Sequence, residues 1–201
     1  MLDHISIKLI KPSLNLIAKH IHRTGIKADQ VTLLSFFIGF LALPALIYQE
    51  YNLALLFIII NRIMDGVDGA VARIQGTTDS GGFLDITLDF LFYSLVPFGF
   101  VLANPEMNAV AGAFLIFSFI GTGSSFLAFA ALAEKRKIEN PVYPHKSLYY
   151  IGGLTEGTET IACLILMCLL PQYFSTIAYV FATLCWFTTF TRIYSGYHTL
   201  K

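Results

Sequence analysis

Long apolar stretches separated by short polar turns are the feature that most constrains the fold of this chain. Hydrophobic residues make up 56% of its 201 residues and charged residues 13%, against roughly 25% charged in ordinary soluble domains. A helix needs ~20 mostly apolar residues to cross a hydrocarbon core of roughly 30 Å. The chain has room for about six such helices with short loops. We therefore predict an all-α integral membrane protein that forms a single domain over residues 1–201.

Polar residues at the edges of the apolar stretches define six predicted spans. Asp29 or Thr32 is expected to cap the first span, and Asp79 or Ser80 the third. Pro44 is expected to kink the first span in its second half. The predicted spans cover residues 32–48, 53–73, 81–102, 107–133, 152–170 and 173–197, and residues 28–201 form the predicted six-helix core.

Residues 1–27 precede the spans and form a predicted interfacial arm. Pro12 suits the first position of a helix. The apolar stripe of this helix consists of Leu14, Ile17 and Ile21, and lies away from the basic residues Lys19, His20 and Arg23. An amphipathic helix with a basic polar face lies on a membrane surface. We expect that position for the arm, with a solvated helix as the alternative.

The distribution of basic residues predicts the orientation of the chain in the membrane. All 13 Lys and Arg residues fall on the side of the predicted spans that carries both termini. The positive-inside rule places that side, with the turn at 73–80 and the loop at 134–148, in the cytoplasm. No basic run is interleaved with exposed aromatic residues as in a nucleic-acid-binding groove, so we expect no nucleic acid partner.

Four carboxylates interrupt the apolar sequence of the second and third predicted spans. Asp65 and Asp68 are three residues apart, and Asp85 and Asp89 are four apart, so each pair projects from one face of a helix. Carboxylates inside a membrane are heavily penalised unless cations compensate for them. The two pairs therefore predict a compensated polar site on the cytoplasmic side, where these aspartates lie.

Arginines of the second span offer only part of that compensation. Salt bridges to Arg62 and Arg73 would neutralise two of the four carboxylates. The remaining negative charge favours a hard divalent cation such as Mg²⁺, which prefers carboxylate and phosphate oxygens. Two alternatives stay open, a purely structural network of salt bridges and a divalent-cation or proton transporter, because intramembrane acids also mark ion paths.

The aspartates belong to a longer pattern, Asp-x-x-Asp-Gly-x-x-Ala-Arg, then seven residues, then Gly-x-x-x-Asp-x-x-x-Asp, between residues 65 and 89. Through this pattern the chain resembles the CDP-alcohol phosphotransferase family, also called class I CDP-alcohol phosphatidyltransferases, and it matches all eight fixed positions of the family signature. The resemblance implies a six-helix membrane domain that forms homodimers. It also implies an enzyme of phospholipid synthesis that transfers a phosphatidyl group from CDP-diacylglycerol to a small polar alcohol and releases CMP.

The resemblance assigns roles to the signature residues as well. It implies that Mg²⁺ or Mn²⁺, as one ion or two, is bound by Asp65, Asp68, Asp85 and Asp89. It also implies that Asp89 is the general base. The residues that the resemblance places at the CDP-linked donor are Gly69, Ala72, Arg73 and Gly81.

The signature does not name the acceptor alcohol. Lys135, Lys146 and Arg192 lie on the predicted cytoplasmic side, and an arginine grips phosphate with two parallel hydrogen bonds. These cations favour glycerol 3-phosphate. Glu156 and Glu159 share a helical face at the start of the fifth span and favour hydroxyl groups or an amine, so serine and inositol compounds are alternatives. The two acids also suit a helix N-terminus with no role in binding.

Overall fold

Helices account for nearly all of the part of the chain that the structure, a computed structural model, describes. That part comprises residues 3–138 and 153–201. Within it there are eight α-helices and one 3-10 turn, and no strand. The helices are α1 (Asp3–Arg23), α2 (Ala28–Phe40), α3 (Ala42–Ile47), α4 (Tyr51–Gln75), α5 (Asp79–Ala103), α6 (Pro105–Lys135), α7 (Gly157–Leu169) and α8 (Phe174–Leu200), and the 3-10 turn is Pro171–Tyr173. The predicted all-α class is confirmed.

Four helical segments are long and apolar enough to cross a membrane. They are Ala28–Ile47, Asp79–Ala103, Pro105–Lys135 and Pro171–Leu200. Helix α4 has 25 residues and a length of about 37 Å, but its second half carries charged side chains and it is not among the four. Helix α7 has 13 residues, which reach about 20 Å and fall short of a hydrocarbon core of roughly 30 Å. The structure thus supports four candidate spans.

The first span begins before its predicted caps. Helix α2 starts at Ala28, and the side-chain oxygen of Gln30 accepts the backbone N–H of Lys27 at 2.9 Å. Thr32 lies inside the helix, where its hydroxyl donates to the carbonyl of Ala28 at 3.1 Å. Asp29 is also helical. The prediction that Asp29 or Thr32 caps this span is wrong, because the chain is already helical at both residues.

Two other helices also begin earlier than predicted. Pro12 lies inside α1 rather than at its first position. Helix α5 is capped by Thr78, whose hydroxyl accepts the backbone N–H of Gly81 at 3.1 Å. The predicted caps Asp79 and Ser80 instead form the first turn of that helix. The predictions for Pro12 and for Asp79 or Ser80 are therefore wrong, because both helices begin before the apolar pattern from which they were predicted.

Pro44 interrupts the first span as predicted. Helix α2 ends at Phe40 and α3 begins at Ala42. A proline has no N–H for the carbonyl four residues before it, and its ring crowds that carbonyl, which here belongs to Phe40. The span therefore divides at Leu41 into two helical segments.

Helix α1 packs an apolar face against α4. Its Ala18 is fully buried, and the side chain of Leu14 lies 2.9 Å from the position of a Cβ at Gly66 of α4. The buried cluster between the helices also contains Val31, Val67, Ala70 and Val71, and Ile21 packs against it. Ile17 is 42% exposed. Leu14 of the predicted membrane-facing stripe thus contacts α4, and Ile21 packs against the same buried cluster.

The far end of the helices from the signature holds the apolar core. The rings of Phe100 on α5 and Phe174 on α8 stack with centroids 4.6 Å apart, and Tyr51 of α4 stacks on Phe100 at 5.6 Å. Helix α6 packs along both α5 and α8. The beginning of α4 and the end of α5 are therefore aromatic, whereas the end of α4 and the beginning of α5 carry the signature.

Candidate metal centre

Helix α2 holds the two aspartate pairs beside each other, because it packs against both α4 and α5. Gln75, the last residue of α4, fixes α4 to the start of α2. Its Nε2 donates to the carbonyl of Ile26 at 2.7 Å, and its Oε1 accepts the backbone N–H of Ala28 at 3.1 Å. The end of α4 is thus bonded to the turn that precedes α2.

Polar side chains of three helices line a pocket at this end of the molecule. Apart from Phe36 and Leu88, the lining residues are polar or charged: Thr32 and Ser35 of α2, Asn61, Arg62 and Asp65 of α4, and Asp85 and Asp89 of α5. Three of the four signature aspartates therefore line one pocket, and the fourth, Asp68, lies one helical turn from Asp65 on α4.

The carboxylates of Asp65, Asp68 and Asp85 converge. One oxygen from each lies within 4.8 Å of the others. Asp68 is 2% exposed, and its Oδ2 has no hydrogen-bond partner among the described residues. Burial of a carboxylate oxygen without a hydrogen-bond donor is strongly unfavourable. A hard divalent cation compensates for it, because carboxylate oxygens are good ligands of such ions. The three residues therefore fit a divalent metal ion.

Asp89 lies outside this group and is paired with Arg62. Arg62 Nη1 donates to Asp89 Oδ1 at 2.8 Å, and the same nitrogen is 3.6 Å from Asp65 Oδ2. Arg73 is exposed and forms no ion pair within the described chain. A structural salt-bridge network would need both arginines, but only Arg62 forms ion pairs with signature aspartates in the described residues. Asp68 and Asp85 have no cationic side chain within ion-pair distance in the parts of the chain described.

The signature residues predicted to meet the donor lie along the end of α4 and the start of α5. A Cβ at Gly69 would meet only Arg73 Nη1, at 3.6 Å, so this surface of α4 is open. Gly81 differs, since a Cβ there would lie 2.9 Å from Asp29 Oδ1 and 3.0 Å from the Thr78 hydroxyl. Ala72 is half-buried. Their contact with a donor stays a prediction.

Of the predicted acceptor cations, the two in the described part of the chain, Arg192 and Lys135, do not line the aspartate pocket. Arg192 of α8 is 7% exposed. Its Nη1 donates to the carbonyl of Thr122 at 3.2 Å, and its Cζ lies 5.7 Å from the ring centre of Phe126. Lys135 is exposed in the last turn of α6, and Lys146 lies outside the described residues. Arg192 is thus held between α8 and α6 and does not snorkel to the surface.

Glu156 and Glu159 take part in a capping box at the start of α7. Glu156 Oε1 accepts the backbone N–H of Gly153 at 3.0 Å. Glu159 Oε2 accepts the backbone N–H of Glu156 at 3.1 Å. The capping box satisfies amides at the helix start, and the bond from Gly153 fixes the turn before it. The geometry supports the interpretation of the two acids as a helix N-terminus.

Sequence reasoning missed Asn61 and Ser35. Asn61 is 1% exposed, and its Nδ2 donates to the backbone oxygen of Ser35 at 2.8 Å. Its Oδ1 accepts from Arg62 Nε at 2.7 Å. The available signal was the polar pair Asn61 and Arg62 directly after an apolar run at 53–60. A polar pair in that position needs a buried partner.

Two proteins are similar to the chain over almost their whole length. Inner membrane protein YnjF of Escherichia coli (strain K12) is 59% identical over 201 residues, which are 100% of this chain and 98% of that protein. Archaetidylinositol phosphate synthase of Pyrococcus horikoshii is 29% identical over 205 residues, with 100% of this chain and 99% of that protein covered.

Solved structures share the fold. The crystal structure of Mycobacterium tuberculosis phosphatidylinositol phosphate synthase with CDP-DAG bound has a TM-score of 0.74 at 20% identity, over 92% of this chain and 93% of that chain. The structure of that protein in complex with manganese and citrate has a TM-score of 0.73 at 20% identity, over 92% and 88%. The model of the family described as CDP-alcohol phosphatidyltransferase matches residues 26–193. The chain therefore belongs to the CDP-alcohol phosphatidyltransferase family, as its signature implied.

Proposed function

We propose that this phosphatidyltransferase uses CDP-diacylglycerol as its donor, transfers the phosphatidyl group to a small polar alcohol and releases CMP. The observation that carries the proposal is the convergence of the carboxylates of Asp65, Asp68 and Asp85 beside a polar pocket, in a member of the CDP-alcohol phosphatidyltransferase family. The structure of the similar Mycobacterium tuberculosis protein with CDP-DAG bound supports this donor.

Asp65, Asp68 and Asp85 are the proposed ligands of a divalent cation, Mg²⁺ or Mn²⁺. The similar structure in complex with manganese supports this assignment, as does the buried Asp68 Oδ2 without a donor. When bound, the cation supplies neutralisation of the spread negative charge on the donor's phosphate oxygens. The three carboxylates hold their positions through α4 and α5, both of which pack against α2.

The donor nucleotide is proposed to lie against the exposed end of α4. The surface at Gly69 is open, Ala72 is a small residue one turn later, and Arg73 is exposed beside them. Gly81 lets the first turn of α5 approach Asp29 closely. A small-residue strip allows the flat nucleotide to approach the backbone, and Arg73 would pair with its anionic groups.

Asp89 is the proposed general base. The acceptor hydroxyl gives its proton to the Asp89 carboxylate while the hydroxyl oxygen forms a bond to the phosphorus next to the lipid. The bond from that phosphorus to the oxygen of CMP breaks, and CMP leaves with the electron pair. Arg62, at 2.8 Å, holds the Asp89 carboxylate in a fixed orientation.

A phosphorylated polyol is the proposed acceptor class. The names of two similar proteins refer to inositol phosphate lipids, and glycerol 3-phosphate, which the cationic residues favour, belongs to the same class. Arg192, Lys135 and Lys146 are the proposed phosphate contacts, and Arg192 and Lys135 would hold the phosphate outside the aspartate pocket. Glu156 and Glu159 favour serine or free inositol, but their capping bonds make them weaker candidates.

The membrane arrangement is also proposed. Helices α4 and α7 would add two spans to the four candidates, with the crossing of the 13-residue α7 completed by residues that precede Gly157. Helix α1 would lie on the membrane surface with Leu16, which is 74% exposed, toward lipid. The inner membrane relative supports an inner-membrane location. Both termini and the aspartates would face the cytoplasm by the positive-inside rule. Residues 1–201 would form one domain, with an arm at 1–27 and a core at 28–201, and would assemble as a homodimer.

CMP release tests the proposal. The purified protein receives CDP-diacylglycerol, Mg²⁺ and one of four acceptors: glycerol 3-phosphate, inositol phosphate, serine or free inositol. We expect metal-dependent CMP release that is fastest with a phosphorylated polyol. Asp79→Asn is the matched control, because Asp79 is an exposed acid on α5 outside the carboxylate group. No CMP release with any of the acceptors would overturn the proposal, and ion flux in its place would support the transporter, to which the family match lends no support.

A further inference from the structure

The guanidinium of Arg62 lies between two of the signature aspartates. Its Nη1 is 2.8 Å from Asp89 Oδ1 and 3.6 Å from Asp65 Oδ2, and its side chain is 8% exposed. Position 62 is not part of the family signature. The resemblance therefore assigns no role to a cation that the structure places inside the acid group.

A hydrogen-bonded link from α2 fixes this guanidinium. Arg62 Nε donates to Asn61 Oδ1 at 2.7 Å. Asn61 Nδ2 donates to the carbonyl and the hydroxyl of Ser35 at 2.8 and 3.0 Å, and the Ser35 hydroxyl donates to the backbone oxygen of Asn61 at 2.9 Å. A Cβ at Gly39 would lie 2.8 Å from Asn61 Nδ2. The link fits because residue 39 has no side chain.

Two aromatic rings of α5 hold the other side of the guanidinium. Arg62 Cζ lies 4.5 Å from the ring centre of Phe92 and 5.2 Å from that of Tyr93, and Nη1 donates to the Tyr93 hydroxyl at 3.2 Å. Aromatic faces attract cations. An arginine keeps its proton in proteins. Removal of the Arg62 side chain would leave the carboxylates of Asp89 and Asp65 without their cationic partner. Arg62 is therefore a fixed cation of the site.

We infer that the Arg62 guanidinium takes the place of a second divalent cation, so that this protein binds one divalent ion per chain. A second ion would have to share Asp89 with an acid of the group, and Arg62 Nη1 already contacts carboxylate oxygens of Asp89 and Asp65. A divalent ion at that place would meet the like charge of the guanidinium at short range. Asp65, Asp68 and Asp85 hold the one ion, and Asp89 is left to accept the proton.

The inference rests on the proposed function. The number of bound Mn²⁺ ions per chain distinguishes a failure of the inference from a failure of the proposed function. Mn²⁺ per chain is measured by electron paramagnetic resonance in purified full-length protein, without substrate. The variants are Arg62→Gln, which removes the charge, and Arg62→Lys, which keeps it. Arg23→Gln, at an exposed arginine of α1, is the matched control. We expect one Mn²⁺ in the wild type, Arg62→Lys and Arg23→Gln, and two spin-coupled ions in Arg62→Gln.

Each alternative result has a distinct meaning. Two Mn²⁺ ions in the wild type, or one in folded Arg62→Gln, would overturn the inference and leave the proposed transfer intact. A wild type that binds no Mn²⁺ would overturn the proposed function. If Arg62→Gln does not fold, Asp89→Asn decides the question. It keeps the single ion if Arg62 stands in for the second one, and it loses an ion if Asp89 is a metal ligand.

Discussion

Asp65 and Asp68 on α4 and Glu156 and Glu159 at the start of α7 are two pairs of acids with the same spacing and different surroundings. The glutamates accept backbone N–H groups at 3.0 and 3.1 Å. The aspartates lie within a helix, where the amides are already bonded to carbonyls, and Asp68 Oδ2 has no donor in the described structure. The comparison shows that a carboxylate at a helix N-terminus can accept backbone N–H groups, whereas a buried carboxylate in the middle of a helix needs another partner, such as a cation.

Removal of one carboxylate from each pair should break the comparison most clearly. We expect Asp68→Asn to lose Mn²⁺ binding at concentrations that saturate the wild type, and CMP release to fall to background, because the ion loses a buried charged ligand. Glu159→Gln should keep both, since glutamine also serves in a capping box. Mn²⁺ titration and a CMP assay measure this. Equal loss in the two variants would mean that the pairs do not differ.

The next prediction separates Asp89 from the aspartates that converge. Asp89→Asn should slow CMP release by about 10²- to 10⁴-fold, the usual effect of losing a general base. Binding of CDP-diacylglycerol and Mn²⁺ should persist, because the pair with Arg62 keeps Asp89 out of the group of three. Turnover and equilibrium donor binding are measured side by side. A matching loss of donor affinity would make Asp89 another ligand.

A smaller effect is expected at Arg192. Arg192→Ala should raise the Michaelis constant for the phosphorylated acceptor by about 10- to 100-fold, the range for one hydrogen bond to a charged group. CDP-diacylglycerol binding should change little. Arg136→Ala is the control, since Arg136 is exposed and bonds to the carbonyl of Leu200. An unchanged acceptor dependence would contradict the phosphate contact and shift attention to the glutamates.

The smallest effect should come from the capping pair. Glu156→Ala should lower the free energy of unfolding by about 1 kcal/mol, because the N-cap side chain no longer accepts an amide. Glu156→Gln keeps an acceptor oxygen and should retain more of that stability. Thermal unfolding in detergent measures both variants. If Glu156→Gln instead raises the acceptor's Michaelis constant strongly at full stability, the glutamates bind substrate.

The two aspartate pairs were predictable because the members of each pair are set by local spacing on one helix. A kink in the first span caused by Pro44 was predictable for a similar reason, since a proline acts on a carbonyl four residues away. The pairing of Asp89 with Arg62 was not. It depends on how α2 presents Ser35 to Asn61 across 26 positions of sequence, and no periodic pattern encodes that register.

Helix ends were also poorly predicted, because they are set by capping side chains and not by the apolar pattern from which the spans were predicted. Thr78 begins α5 ahead of the expected caps. The fifth predicted span opened at residue 152, but α7 is helical only from Gly157. The backbone of Gly153 bonds to the Glu156 side chain instead, so that the acids set where the helix begins.

The packing of α1 on α4 means that the physical unit of this protein begins earlier than its family match. The match starts at residue 26, yet Ala18 is fully buried and packs with Val67 and Ala70 of the signature helix. A shortened chain that starts at the family boundary would strip the back of α4, opposite the carboxylates, of its apolar cover. Whoever fuses, trims or transplants this enzyme should treat the first helix as part of its active-site scaffold.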